Sequence, residues 1–336
     1  MHRYIFPFLV IAMFYLTNPH PTFAQHYYAS LPPKINTTPD LTSVAGITLA
    51  KRVDEVNLAF TVTDKKGHFI KNLGEDDFQV FDNQLAPERL RFFQQQTDLP
   101  LRVVLLIDAS DSVKYRFHFE QSAALVFLKK ILRPGLDQAL VATFNDRITP
   151  LTDFTDNVRG AAQQVKEAKA GGNTKLYDAI VFACDKLRAR SEEQVTRKVV
   201  IAISDGDDTA SHNLMYDAQT AAIRSEVAMF ALSTNNLTYD RYPRGEAVLN
   251  LLTRPTGGKI LPAREDSQLR GAFRNIETTL HNQYALAYVP PDFKPDGSFR
   301  HIDLIARKPK LKVSCRKGYY ARREQAKNIF SVKVNP

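Results

Sequence analysis

The chain is predicted to be α/β, with a doubly wound, mostly parallel sheet covered by helices and a second, smaller antiparallel β domain formed by the flanking segments. Three observations carry this. Two apolar runs, Leu101 to Ile107 and Lys198 to Ile203, hold too few polar residues for a half-exposed strand and read as strands buried on both faces. Helical stretches alternate with strand-like ones from residue 113 to residue 280, the pattern of a parallel sheet. On either side of residues 98–282 the text changes to short runs broken by Gly, Pro, Asn and Asp turns, the pattern of antiparallel strands. A chain of 336 residues has room for more than one core.

The elements follow in order. His2-Arg3, the apolar stretch Tyr4 to Leu16 and the small-residue site Thr22-Phe23-Ala24 read as a secretory signal peptide over residues 1–24. Left uncleaved, the same stretch would anchor the chain. No Cys lies near the cleavage point, which argues against a lipid anchor there. Residues 25–44, rich in Pro, Thr and Ser, read as a disordered linker. A β unit over 45–97 comprises Val56 to Val62, the turn Thr63 to Gly67, His68 to Ile70, Phe78 to Phe81, the turn Asp82-Asn83, and Leu90 to Phe93.

Within 98–282, the strand ending at Asp108 is followed by a helix over Val113 to Leu132, with Phe117, Ala124, Leu125 and Leu128 at helical spacing and Pro134-Gly135 as its stop. Strands over Ala139 to Phe144 and Ile148 to Phe154, and helices over Asn157 to Ala168 and Leu176 to Leu187, come next. Beyond Asp205 the expected order is helix Ala218–Ser225, strand Val227–Leu232, helix Gly245–Thr253, short strand Lys259–Leu261 and closing helix Ser267–Leu280. A C-terminal β unit over 283–322 holds Tyr284 to Val289, Arg300 to Ala306, Leu311 to Cys315 and Gly318 to Tyr320, and residues 323–336 form a basic tail. Two or three strands are marginal alone, so the flanks are expected to pack on each other with the α/β domain inserted between them.

The most informative stretch is Asp108-Ala-Ser110-Asp-Ser112, where a buried strand stops on a carboxylate followed by alternating hydroxyls. Open α/β sheets bind ligands beyond the carboxyl ends of their strands, and these oxygens suit a hard divalent cation. Two further pieces lie downstream: Gly171-Gly-Asn-Thr174 before a helix, and Ser204-Asp205-Gly206 at the end of the second apolar strand. Taken singly, each is also ordinary turn and cap chemistry, and Ser112 could cap the helix that follows. In this combination and order they resemble the von Willebrand factor type A domain, a Rossmann-like fold, and its metal-ion-dependent adhesion site. The resemblance covers roughly residues 98–282. It implies that Asp108, Ser110, Ser112, Thr174 and Asp205 form a metal site, with the hydroxyls binding directly or through water. The segment Asp77-Phe-Gln-Val-Phe-Asp82 and the β flanks further resemble bacterial envelope proteins carrying such a domain.

Several chemical consequences are expected. Mg²⁺ (or Mn²⁺ or Ca²⁺) held by two carboxylates leaves a nearly neutral site, open to an Asp or Glu presented by a protein partner. Asp111, Asp207 and Asp208 crowd the same rim, either as solvated turn residues or as groups that recruit the cation. A hydrolase would need a base near the metal; His212 is a candidate and His118 reads as a packed or surface side chain. With no nucleophile elbow, phosphate loop or His-rich cluster, binding rather than catalysis is expected. The other reading is a metal-free structural scaffold of an envelope assembly.

Charge and cysteine content complete the expectations. The net charge is +9, and residues 300–336 hold eleven Lys and Arg against two acidic residues. The body of the chain is therefore balanced, so the basic pI does not read as a nucleic-acid-binding body, and the expected secretion argues against one as well. The basic end is either a set of solvated strand faces or an attachment to an anionic envelope polymer or lipid. Cys184 and Cys315 read as two separate thiols, with one bridge open in an oxidising compartment. Beyond residue 25 no run reaches the 18 apolar residues of a transmembrane helix, so the mature chain is expected to be soluble, and the signal-peptide pattern makes its expected location extracytoplasmic, periplasmic or secreted.

Overall fold

The computed structural model describes residues 55–95, 99–192, 196–235 and 244–321. The expected signal peptide (1–24), linker (25–44) and basic tail (323–336) lie outside the described residues.

The α/β domain is built on strands β4 (Leu101–Asp108), β5 (Gln138–Phe144), β6 (Ile148–Pro150), β7 (Arg197–Ser204), β8 (Ala228–Ser233) and β9 (Ile260–Pro262). They form one six-stranded sheet in the order β6-β5-β4-β7-β8-β9, parallel except for the edge strand β6, which runs antiparallel to β5. All eight residues of β4 are buried, as expected of a strand covered on both faces. Its side chains divide by parity. Leu101, Val103, Leu105 and Ile107 join the core beneath α1 (Phe117–Ile131), α2 (Val158–Glu167) and α6 (Asp266–His281), whereas Val104 and Leu106 join that of α3 (Leu176–Ala189), α4 (Met215–Arg224) and α5 (Arg244–Thr253). Two-residue alternation of a strand between two helical layers is what makes the sheet doubly wound. The one charged residue of the run, Arg102, is not left alone: its Nε and Nη2 each donate at 2.9 Å to the Glu192 carboxylate.

The flanks supply β1 (Val56–Thr63), β2 (Phe78–Asp82), β3 (Leu90–Gln95), β10 (Tyr284–Tyr288), β11 (Phe299–Ala306), β12 (Lys312–Ser314) and β13 (Gly318–Tyr320). One sheet runs β12-β1-β10-β3 and the other β13-β11-β2, antiparallel throughout. Every pairing of β1 and β2 is thus with a strand from the other side of the α/β domain. The two sheets share one core, in which Phe60 of β1 stacks on Tyr284 of β10 with centroids 5.3 Å apart and meets Phe78 of β2 edge-on at 4.9 Å. The expected fold class, α/β with a smaller antiparallel β domain from the flanks, is the one observed.

Four differences from the expected elements have local causes. The helix expected from Val113 begins at Phe117, because Asp111–Val113 form a 3-10 turn whose first amide donates to Gly172 O at 3.0 Å. The helix expected from Ala218 begins at Met215, with the preceding loop held by Asp178, which accepts from the amides of His212 and Asn213. The strand expected over Ile148 to Phe154 ends at Pro150, and His68 to Ile70 reduces to a single bridge between Phe69 and Thr63.

The β domain meets the α/β domain at the turn 254–257 and at α4. Lys317 N donates to Pro255 O at 2.8 Å, the Arg224 guanidinium lies over the Tyr320 ring at 4.8 Å, and Arg316 faces Glu226 at 3.8 Å. Gly257, at φ +79°, is obligatory there, since a Cβ would come within 2.5 Å of the Cys315 carbonyl carbon. Both cysteines are buried and free, Cys184 in α3 and Cys315 in the β domain, and burial pushes their thiols up to about 12 and about 11. Among the described residues no helix is long and apolar enough to cross a membrane.

Candidate functional site

The C-terminal ends of β4 and β7 lie side by side because the two strands pair in register, Ile107 opposite Ile203. Asp108, fully buried, closes β4 and is held at both oxygens. Its Oδ1 accepts from Ser110 N at 2.9 Å and its Oδ2 from Ser204 Oγ at 2.8 Å. The next two hydroxyls turn toward the neighbouring strand end. Ser112 Oγ donates to Asp205 Oδ2 at 2.8 Å and lies 3.0 Å from Ser110 Oγ. Since Ser112 has one hydroxyl proton and gives it to Asp205, Ser110 is the donor of that pair.

The third component is the loop before α3. Gly171 N donates to Ala109 O at 2.7 Å, and Gly171 O accepts from Asn145 Nδ2 at 2.7 Å. Gly172 sits at φ +93°, and a Cβ there would meet Asp146 Oδ2 at 2.0 Å, so the close turn of this loop requires glycine. Thr174 is buried and tied to the loop after Asp205: its amide donates to Thr209 Oγ1 at 3.0 Å, and its carbonyl accepts from the amides of Thr209 and Ala210. The structure thus brings Ser110, Ser112 and Asp205 into one hydrogen-bonded chain beside Asp108. Thr174 joins them through its backbone contacts with the Asp205 loop.

Electrostatically the site is short of positive charge. Burial, reinforced by Asp205, pushes the Asp108 carboxyl up to about 6, and its partners are hydroxyls and an amide. Beneath it lies Glu120 of α1, pushed up to about 8 by burial against the pull of Arg116, whose Nε is 2.8 Å from Glu120 Oε1. Arg116 itself is committed to the carbonyls of Thr234 and Ala263.

The donor set fits a hard divalent cation. All five candidate side chains offer oxygen. The two measured separations, 3.0 Å for Ser110–Ser112 and 2.8 Å for Ser112–Asp205, match the edge of an octahedron with metal–oxygen bonds near 2.0–2.1 Å, about 2.9 Å. Among the described residues no group of three or more His, Cys, Asp or Glu converges, so any metal site here depends on hydroxyl ligands. Bound there, the cation would supply the positive charge that the buried carboxylates lack and a position for an acidic ligand.

The rim residues have separate duties. Asp208 accepts from the Tyr177 amide and from the amide and hydroxyl of Ser211, so it anchors α3 rather than facing the site. Asp111 and Asp207 are exposed at the residue level, and partial desolvation of the Asp207 carboxyl, with the nearby Asp205 charge, raises it above the usual carboxylate range. The imidazole of His212, the candidate base, is largely exposed, and its Nδ1 lies 3.2 Å from Asp178 Oδ2. Sequence reasoning missed Ser204, Arg116 and Glu120. Ser204 sits in the quoted Ser-Asp-Gly turn, and the Arg116/Glu120 pair shows as polar residues at i, i+4 spacing on a helix face otherwise apolar.

Residues 103–244 match the family model of the von Willebrand factor type A domain, and the six-stranded sheet with its two helical layers is that fold. The chain is similar to the inter-alpha-trypsin inhibitor heavy chain H4 of Bos taurus, 24% identical in an alignment of 225 positions that covers 62% of this chain and 23% of that protein's length. Among solved structures it is similar to the conserved hypothetical protein BatB of Bacteroides thetaiotaomicron, 15% identical, covering 53% of this chain and 98% of that one at a TM-score of 0.42. A von Willebrand factor type A protein of Catenulispora acidiphila is 13% identical over 74% of this chain and 73% of its own, TM-score 0.45. Proximal thread matrix protein 1 of the mussel byssus, described with a zinc-occupied adhesion-site motif, is 15% identical over 59% of this chain and 50% of its own, TM-score 0.46.

Proposed function

We propose that the chain is an extracytoplasmic, metal-dependent interaction module of the bacterial envelope type, holding Mg²⁺ at Asp108, Ser110, Ser112, Thr174 and Asp205 and binding a partner protein through an Asp or Glu of that partner. The observation that carries it is the convergence of Ser110 Oγ, Ser112 Oγ and Asp205 Oδ2 at 3.0 and 2.8 Å beside the buried Asp108. Oxygens at that spacing suit Mg²⁺ or Mn²⁺, which retain exchangeable positions for an outside ligand. The extracytoplasmic location is supported by the signal-peptide pattern of residues 1–24. Binding rather than turnover is supported by the partners of the described side chains around Asp108, which are hydroxyls, an amide and the Asp205 carboxylate.

The experiment is calorimetric titration of Mg²⁺ and Mn²⁺ into the full chain beside an Asp108→Ala variant whose fold is checked by circular dichroism. Saturable binding lost in the variant is expected. A folded wild type that binds neither ion, alone or with added glutamate, would replace this reading with a metal-free scaffold.

A further inference from the structure

A groove of about 660 Å³ lies between the start of α1 and the end of α2, next to the candidate metal site. Lys114, Lys166 and Lys169 line it with His118, above a floor that includes the buried edge of Phe117; Glu167 is the one acidic residue of the lining. None of the three lysines makes an ion pair with another described residue, whereas Glu167 already accepts from Gln163 Nε2 at 2.9 Å. The groove is thus a cluster of exposed, hydrated lysines that pair with no described acid, on a surface whose sheet end is acidic.

Two features connect it to the site. Lys114 stands two residues beyond Ser112. The other wall, through Lys169 and Ala170, runs straight into Gly171, whose amide donates to Ala109 O at 2.7 Å. The groove is also preformed. Gln121 of α1 reaches across and donates to the carbonyls of Val165 and Ala168, tying the two walls together and covering the carbonyls that would repel an anion at the end of α2. Tyr115, beside Lys114, is 80% exposed, more than any other large apolar side chain described, and an exposed tyrosine is a favoured contact residue of an interface.

We propose that this groove takes a second contact from the same partner: an acidic polypeptide segment places one carboxylate at the metal and lays another, farther along, among Lys114, Lys166 and Lys169. The proposal rests on the metal-dependent reading above and names its partner's chemistry. Charge complementarity selects the occupant. A neutral or basic segment would displace water from three ammonium groups without supplying an anionic partner, while a run of Glu or Asp satisfies the metal and the groove together.

The test uses fluorescein-labelled hexaglutamate and the full chain in Mg²⁺ buffer, followed by anisotropy, with Mg²⁺ affinity measured separately by calorimetry. Two variants carry equal charge loss: Lys114→Gln/Lys166→Gln/Lys169→Gln in the groove, and Lys294→Gln/Lys310→Gln/Lys312→Gln on exposed positions of the β domain. The expected result is unchanged Mg²⁺ affinity in both, hexaglutamate binding about tenfold weaker in the groove variant only, and a shallower salt dependence there. Wild-type hexaglutamate affinity in the groove variant, or equal weakening in both, overturns the groove while leaving the metal reading intact. A wild type that binds no Mg²⁺ overturns the metal reading, and the groove proposal with it.

Discussion

Asp108 and Glu120 are acidic side chains placed where water cannot reach them, and each meets that cost differently. Asp108 is surrounded by hydroxyl and amide donors and stands at a position where a cation can complete the charge balance. Glu120 has Arg116 at 2.8 Å, yet both of its carboxylate oxygens lack a well-aligned hydrogen-bond donor, and burial keeps its carboxyl up to about 8. A carboxyl raised in the folded state binds a proton there that the unfolded chain has already released. Stability of the metal-free chain therefore falls as pH rises from about 4.5 to about 8, and Glu120→Gln is expected to flatten that decline and make the variant the more stable protein above pH 8. Urea titrations in EDTA at pH 5, 7 and 9 measure it; parallel declines in wild type and variant would mean that Glu120 is ionised throughout. Such residue-level facts were half legible in the sequence. Asp108, Ser110, Ser112 and Asp205 stand out because they end apolar strands or follow them at alternate positions, whereas Ser204 is one more hydroxyl in a turn until β4 and β7 pair and bring it 2.8 Å from Asp108 Oδ2.

Elements follow the hydrophobic pattern most closely where the pattern is strongest. β4, with eight buried residues, and β7 agree with their apolar runs to within a residue or two, because burial on both faces leaves no alternative to a continuous apolar text. Element starts near the site deviate, since there the backbone answers to loop contacts: α1 waits until Phe117 because the residues before it are turned toward Gly172. The β strands of the flanks are individually short and acquire stability only by pairing across the chain, β1 with β10 and β2 with β11. Removal of residues 283–336 is accordingly expected to unfold β1 to β3, exposing Phe60 and Phe78, with new binding of an apolar dye and loss of near-ultraviolet dichroism. Retention of a folded N-terminal flank in that truncation would show that β1 to β3 suffice alone.

At the scale of the whole molecule, residues far apart in the chain meet in the core of the β domain. Asp82, fully buried at the end of β2, accepts from Tyr288 and Tyr319 hydroxyls at 2.9 Å each and from Arg300 Nε at 2.6 Å, so β2, β10, β13 and β11 share one carboxylate. Removing it strands a buried guanidinium and two hydroxyls. Asp82→Ala should cost about 3–5 kcal/mol in the stability of the β domain, read as a lower urea midpoint, while Mg²⁺ titration of the folded variant stays as in wild type. A change below about 1 kcal/mol would mean that Arg300 and the tyrosines reach water instead.

By itself, the sequence determined the alternation of strands and helices, the division into an α/β body and antiparallel flanks, and the identity of the oxygen-bearing loops. Each is written locally, in hydrophobic period, in turn residues and in side chains that follow a strand end. Only the tertiary structure decided that four strands meet on Asp82, that Ser204 and Glu120 lie near Asp108, that His212 faces Asp178, and that three lysines, one from the turn before α1, one from α2 and one from the loop after it, line one groove. Those outcomes depend on which distant segments touch, and contact between segments is set by strand pairing and helix packing, which no single stretch of sequence encodes.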